Sequence, residues 1–223
     1  MSETVLIPGG RGVRASLDRS SDSADPSTVK PDPSAAETDT DALVVACPPD
    51  PRQRGHRGDE RLVAVSDALT ARGVDCLRFD YGTFDEGYGE CTDADNAVAW
   101  ALERYDRVGL FGFSFGGSVA LVTAASRPEL VGVCALAPAA RLNADVDAVA
   151  AVGDLEGMTV PVRVVYGTRD GTADWSPVVE RAREAGFDLV GIEGDHFFVG
   201  QSGTVADSVA DWLVPLARGM SRD

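Results

Sequence analysis

The sequence predicts an α/β domain built on a doubly wound, mostly parallel sheet with helices on both faces. Three observations lead there. Short runs such as "ALVVAC" (42–47) and "RVGLFGF" (107–113) are apolar almost throughout, as expected of strands covered on both faces. Between such runs lie amphipathic stretches with helix start and stop signals. The chain has 223 residues and is 44% hydrophobic, enough for one sizeable domain with a packed core. Right-handed crossovers turn this alternation into an open sheet, and such sheets bind ligands at the carboxyl ends of their strands.

The elements read in order as follows. "TVLIP" and "RASLD" flank the turn "GGRG", which predicts an N-terminal hairpin over residues 3–18. Residues 19–41, "RSSDSADPSTVKPDPSAAETDTD", are polar and rich in Pro and Ser, and read as a long surface loop. "ALVVAC" is the next strand, followed by the helix "DERLVAVSDALTARG", closed by Gly73. "VDCLRFDY" is a strand, and "TDADNAVAWALERY" a helix with Thr92 as its expected N-cap. "RVGLFGF" leads into a helix over Gly116 to Ser126, and then comes the strand "LVGVCALAP". "VPVRVVYG" is a strand, after which Ser176-Pro177 opens a helix as N-cap and N1. "FDLVGIEG" is the last strand and 203–213 the last helix. About twenty residues separate Ala137 from Val160, too few for a large cap domain. There are no internal repeats.

Composition excludes several partners. The net charge is −16 and the pI about 4.4. Such a surface repels nucleic acid and anionic membranes. Lys30 is the only lysine, the other basic residues being arginines. An acidic, lysine-poor surface resembles that of proteins from salt-accumulating organisms; an acidic cytosolic protein from a GC-rich genome is the alternative. No stretch approaches the roughly 18 apolar residues of a membrane span, and "MSETVLIPGG" has no signal-peptide character. Cys47, Cys76, Cys91 and Cys134 have no C-x-x-C spacing. They read as reduced cysteines of a cytoplasmic protein.

The motif that carries chemistry is Gly112-Phe113-Ser114-Phe115-Gly116, a G-x-S-x-G between a strand and a helix. In that context the serine sits on a sharp turn with its hydroxyl exposed. The helix dipole and the Phe115 amide are then placed to stabilise an oxyanion. A phosphate-binding loop is the first alternative, but Gly117 is followed by Ser118 and the required lysine is missing. A glycine turn of purely structural use is the second.

A serine nucleophile needs a base and an orienting acid. The chain has two histidines. His196 follows the last strand in "IEGDHFFVG"; His56 lies among arginines in "RQRGHRGD" and precedes the serine, against this motif's order of Ser, acid, His. Asp170 follows a strand in "YGTRDGTAD", with Asp174 as its competitor. Ser114, Asp170 and His196 are therefore the expected nucleophile, acid and base.

At these residues the sequence resembles the α/β-hydrolases, and within them the small cap-less group similar to dienelactone hydrolases. The resemblance runs from about residue 42 to 215. It rests on "GFSFGG", "YGTRD", "GDHFF" and the segment "LRFDYGTFDEGYGECTDADNAVAWA". It implies the same triad, no metal or cofactor, and a small ester or acyl substrate. It also implies a second oxyanion donor from the loop after residue 47, here "CPPDPRQRGHRGD" in place of the group's His-Pro-rich segment. Pro48, Pro49 and Pro51 have no N–H, which leaves Asp50 and Arg52, with Arg52 favoured. The serine nucleophile argues against the substrate of the dienelactone hydrolases themselves, which use cysteine. Tyr81, Phe84 and Phe197 are the expected pocket walls, beside Phe115. The resulting expectation is a serine hydrolase of carboxylic esters working through an acyl-enzyme. A thioesterase, acyltransferase or peptidase, or a non-catalytic small-molecule binder of the same fold, stays open. Oligomeric state is not legible.

Overall fold

A computed structural model of the chain describes residues 2–20 and 41–220. Most of the polar loop expected at 19–41, Lys30 included, lies outside the described residues. Among the described residues, eight strands form one sheet. They are β1 (Ser2–Leu6), β2 (Arg14–Asp18), β3 (Ala42–Cys47), β4 (Asp75–Phe79), β5 (Arg107–Phe113), β6 (Gly132–Leu136), β7 (Val162–Gly167) and β8 (Asp188–Ile192). Their order is β1-β2-β4-β3-β5-β6-β7-β8. β1 and β2 form the antiparallel hairpin, β2 pairs antiparallel with β4, and every pairing from β4 to β8 is parallel.

Among the described residues, six α-helices cover the sheet: α1 (Glu60–Thr70), α2 (Tyr88–Leu102), α3 (Phe115–Ala124), α4 (Ala148–Glu156), α5 (Ser176–Glu184) and α6 (Ser202–Ala217). Successive strand residues point to opposite faces, and both faces are apolar. Leu43, Val45 and Leu110 pack in one core with residues of α2, α3, α4 and α5. Val44, Ala46 and Phe111 pack in a second core with residues of α1 and α6, centred on the buried Trp212. This double burial explains why the central strands lack polar alternation.

Three helix boundaries and one whole helix differ from the sequence reading. α2 starts a turn earlier than Thr92, because the Glu90 carboxylate accepts the backbone N–H of Gly87 and of Asp85 and so closes the helix N-terminus there. Thr92 lies inside that helix and donates to the Tyr88 carbonyl. α4 was not anticipated; Asp147 caps it by accepting from Val149 and Ala150. α5 includes Ser176 as its first residue, with Trp175 in the cap position. α6 runs through Pro215 to Ala217 instead of stopping short of the proline. Among the described residues the only helix between β6 and β7 is the short α4, so that connection carries no large cap over the sheet's carboxyl edge. Among the described residues, no helix is long and apolar enough to cross a membrane.

The chain switches direction in the sheet between β3 and β5: β4 and the hairpin lie on one side, β6 to β8 on the other. The crevice beyond the carboxyl ends of β3 and β5 is where a ligand is accommodated in such a sheet. Cys47-Pro48 and Ser114 stand at that point.

Candidate active site

The turn from β5 to α3 is tight because two glycines make it so. A Cβ on Gly112 would lie 2.0 Å from the Gly116 carbonyl oxygen. A Cβ on Gly116 would lie 2.3 Å from the Cys47 oxygen and 2.4 Å from the Pro48 oxygen. All these obstacles are backbone, so only glycine lets strand, helix and the loop after β3 approach this closely. Between them Ser114 adopts φ 56, ψ −120, a strained conformation for a residue with a side chain. The strain is held by the Ser114 amide donating to Leu136 O at 2.8 Å and by its carbonyl accepting from Gly117 at 2.8 Å.

Three side chains converge on this turn. Ser114 Oγ lies 2.8 Å from His196 Nε2, and His196 Nδ1 lies 2.7 Å from Asp170 Oδ2. The imidazole is buried and the Asp170 carboxylate has no exposed surface. The other carboxylate oxygen, Asp170 Oδ1, accepts from the amides of Thr172 and Ala173. Trp175 donates from Nε1 to the Asp170 carbonyl and stacks on Tyr166 with ring centroids 4.8 Å apart. Asp170 is therefore anchored on every side. Asp174 is exposed, and its carbonyl accepts from Ala140. The structure thus brings Asp170, and not Asp174, to the histidine. His56 is exposed, its Nδ1 accepting from the Gly58 amide, and takes no part.

The histidine loop has its own supports. Asp195 Oδ1 accepts from the amides of Phe197 and Phe198. Arg61, on α1, donates to the Phe197 carbonyl at 3.1 Å while its guanidinium is paired with Asp59. The same guanidinium lies 4.6 Å from the centroid of Phe113, whose ring is 5.4 Å from that of His196. The sequence reading missed Arg61, because nothing local signals a contact with a residue so distant in the chain.

The loop after β3 corrects the Arg52 assignment. Asp50 begins a 3-10 turn over Pro51–Gln53, and its carboxylate accepts the Arg52 amide at 2.9 Å. The amide favoured from sequence is therefore already engaged. Of the two amides left open by the sequence, the Asp50 N–H is then the remaining candidate. An Asp followed by Pro at a helix start is a capping signal, and it was present in the sequence to be read.

A cavity of about 480 Å³ opens above Ser114 and His196. Phe84, Phe115 and Phe197 line it. Tyr81 does not: its ring packs edge-on between Phe79 and Phe115, and its hydroxyl donates to the Pro48 carbonyl. It braces the loop after β3 from beneath instead of walling the pocket. Burial raises the pKa of Tyr81 well above the usual phenol range, so it stays a donor. Arg52 is on the cavity wall through its side chain, which lies over the Phe84 ring at 4.3 Å.

No protein-family model matches the sequence, and no curated protein matches it. Solved structures do match in fold. An α/β serine hydrolase homologue from Coxiella burnetii superposes with a TM-score of 0.72 at 20% identity, covering 94% of this chain and 96% of that one. An α/β serine hydrolase without lid from Xanthomonas campestris gives 0.70 at 23%, covering 95% and 94%. Est1E from Butyrivibrio proteoclasticus gives 0.75 at 18%, covering 96% and 98%. The fold of this chain is that of the lid-less α/β-hydrolases.

Proposed function

We propose, on the premise of this fold, that the protein is a serine hydrolase that cleaves a carboxylic ester or related acyl bond. The observation that carries the reading is the unbroken relay from Ser114 Oγ through His196 to Asp170, placed at the sheet's switch point. His196 Nε2 takes the Ser114 proton as Oγ bonds to the substrate carbonyl carbon. The carbonyl oxygen becomes an oxyanion, received by the amides of Phe115 and Asp50. Collapse of that intermediate breaks the bond to the leaving group, which departs with the proton from His196. Water then attacks the acyl-enzyme with His196 again as base, returning free Ser114 and a carboxylic acid. Asp170 holds the imidazole in the tautomer that presents Nε2 to the serine, and stabilises the imidazolium as it forms.

The open cleft with aromatic walls suits a small or extended acyl group. Est1E, a neighbour in fold, has been solved with ferulic acid bound, and a phenyl ring is a group that Phe84 and Phe197 can flank. An intracellular location belongs to the same proposal, in keeping with four free cysteines, three of them buried. The test is pre-steady-state hydrolysis of a 4-nitrophenyl ester. A burst of nitrophenol matching the enzyme concentration, absent in Ser114→Ala, is the expected result. Wild-type turnover that survives in Ser114→Ala at a comparable rate would remove the proposal.

A further inference from the structure

Arg11 lies in the turn of the β1–β2 hairpin, yet its guanidinium is engaged by the loop between β4 and α2. Nε donates to Asp93 Oδ1 at 2.7 Å, and Nη2 donates to the Thr83 carbonyl at 2.6 Å. Asp93, on α2, has a fully buried side chain, and its other oxygen accepts the Gly82 amide at 2.9 Å. One arginine–carboxylate pair therefore holds two consecutive loop residues, Gly82 by its N–H and Thr83 by its C=O. Hydrogen bonds with a charge on one partner are stronger than neutral ones.

Two glycines make room for this arginine. A Cβ on Gly89 would lie 2.2 Å from Arg11 Nη2, 2.4 Å from Cζ and 2.6 Å from Nη1. Distances so nearly equal put the guanidinium plane face-on to the first turn of α2. A Cβ on Gly82 would lie 2.6 Å from the Arg11 carbonyl oxygen.

The residue after Thr83 is Phe84, which lines the cavity above Ser114. The amide and carbonyl of Phe84 make no hydrogen bond with any described residue, so its place is set from either side. On one side Arg11 and Asp93 hold Gly82 and Thr83. On the other, Glu90 accepts the Asp85 amide. The Phe84 ring carries the Arg52 guanidinium at 4.3 Å, and Arg52 is bonded to Asp50. Contacts thus run without a gap from the hairpin to the cavity wall.

We infer that Arg11 is a positioning residue for substrate binding: through Asp93 and the Thr83 carbonyl it fixes the Phe84 ring as a wall of the cleft. Its part in turnover rests on the hydrolase reading; the clamp on the loop does not. A residue that acts through Phe84 changes what Phe84 changes. A wall contact made equally in the ground state and the transition state shows in KM and leaves kcat alone.

Hydrolysis of 4-nitrophenyl butyrate and octanoate tests it. Phe84→Ala and Arg11→Gln should each raise KM by about fivefold or more on at least one ester, with kcat within about twofold of wild type. The double variant should be no worse than Phe84→Ala alone, the non-additivity of residues in one network. Gly89→Ala keeps the charge and displaces the guanidinium, so it should raise KM as Arg11→Gln does, and it decides the matter if Arg11→Gln fails to fold. Arg14→Gln, exposed on the same hairpin, should match the wild type. Hydrogen exchange reads the clamp without turnover. In Arg11→Gln and Gly89→Ala the protected amides of residues 82–85 should exchange about tenfold faster, and those of 170–173 at the wild-type rate. Unchanged KM in both variants, even with a lowered melting temperature, overturns the inference. So does a further loss when Arg11→Gln is added to Phe84→Ala, and so does unchanged exchange at 82–85. Faster exchange there, in a protein whose wild type turns over no ester, would keep the clamp and remove the hydrolase reading.

Discussion

Replacing Gly116 by alanine is the sharpest probe of how the site is held together. The new Cβ would sit 2.3 Å from the Cys47 carbonyl oxygen and 2.4 Å from that of Pro48. Ordinary carbon–oxygen contacts begin at about 3.3 Å, so α3 and the loop after β3 must part by about 1 Å. Neither obstacle is a flexible side chain, and the two amides proposed to receive the oxyanion, Phe115 and Asp50, ride on the parts that move. Overpacking of this kind costs about 1–3 kcal/mol of stability. A misplacement of about 1 Å costs on the order of 10²-fold in rate. Gly203→Ala is the control, since a Cβ there meets nothing within 4 Å and the residue is helical. It should leave kcat unchanged and stabilise by at most about 1 kcal/mol. Thermal melts and kcat/KM on one nitrophenyl ester read both effects. If Gly116→Ala keeps more than half the wild-type kcat/KM, the close approach is not what positions the site.

The remaining expectations are as follows. Asp170→Asn should lower kcat strongly, by up to about 10⁴-fold, and Asp174→Asn by less than about tenfold; the reverse order in a side-by-side assay would contradict the relay. Tyr81→Phe removes the hydroxyl bond to Pro48, so denaturant melts should show a loss of about 1 kcal/mol and kcat should fall more than KM rises. Arg61→Ala should lower kcat with little change in KM, and Arg61→Lys should recover part of it by keeping a donor for the Phe197 carbonyl; equal losses in both variants would assign the effect to packing against Phe113. The melting temperature should rise from low salt to molar potassium chloride, because the Debye length shrinks from about 10 Å at 0.1 M to about 3 Å at 1 M and screens the net charge of −16. A flat salt response would remove the proposal that the surface is adapted to high salt.

Much of this architecture was legible before any coordinates. β3, β5 and β7 are buried on both faces, so their sequences show apolar runs that periodicity finds easily. The candidate triad was legible because Ser114 and Asp170 stand just past such strands, and His196 just past the edge strand β8, where local sequence and topology agree. α4 was missed because it is only nine residues long and its cap, Asp147, stands in an alanine- and aspartate-rich stretch where no single residue marks a helix start. The start of α2 was missed because Gly87 and Glu90, rather than a Ser or Thr cap, close it. Side-chain direction was the other gap. Whether the Tyr81 hydroxyl faces the cavity or the Pro48 carbonyl depends on loop geometry that residue types do not encode. Long-range supports such as Arg61 under the histidine loop follow only from how α1 packs beside the sheet's carboxyl edge.

The central claim is that Ser114 is a nucleophile activated by His196. Reaction with a fluorophosphonate probe, with the labelled peptide located by mass spectrometry, tests it most directly. The account requires one phosphonyl group on Ser114 in the wild type and in His56→Gln, and none in Ser114→Ala or His196→Gln. Equal labelling of the wild type and Ser114→Ala would contradict it.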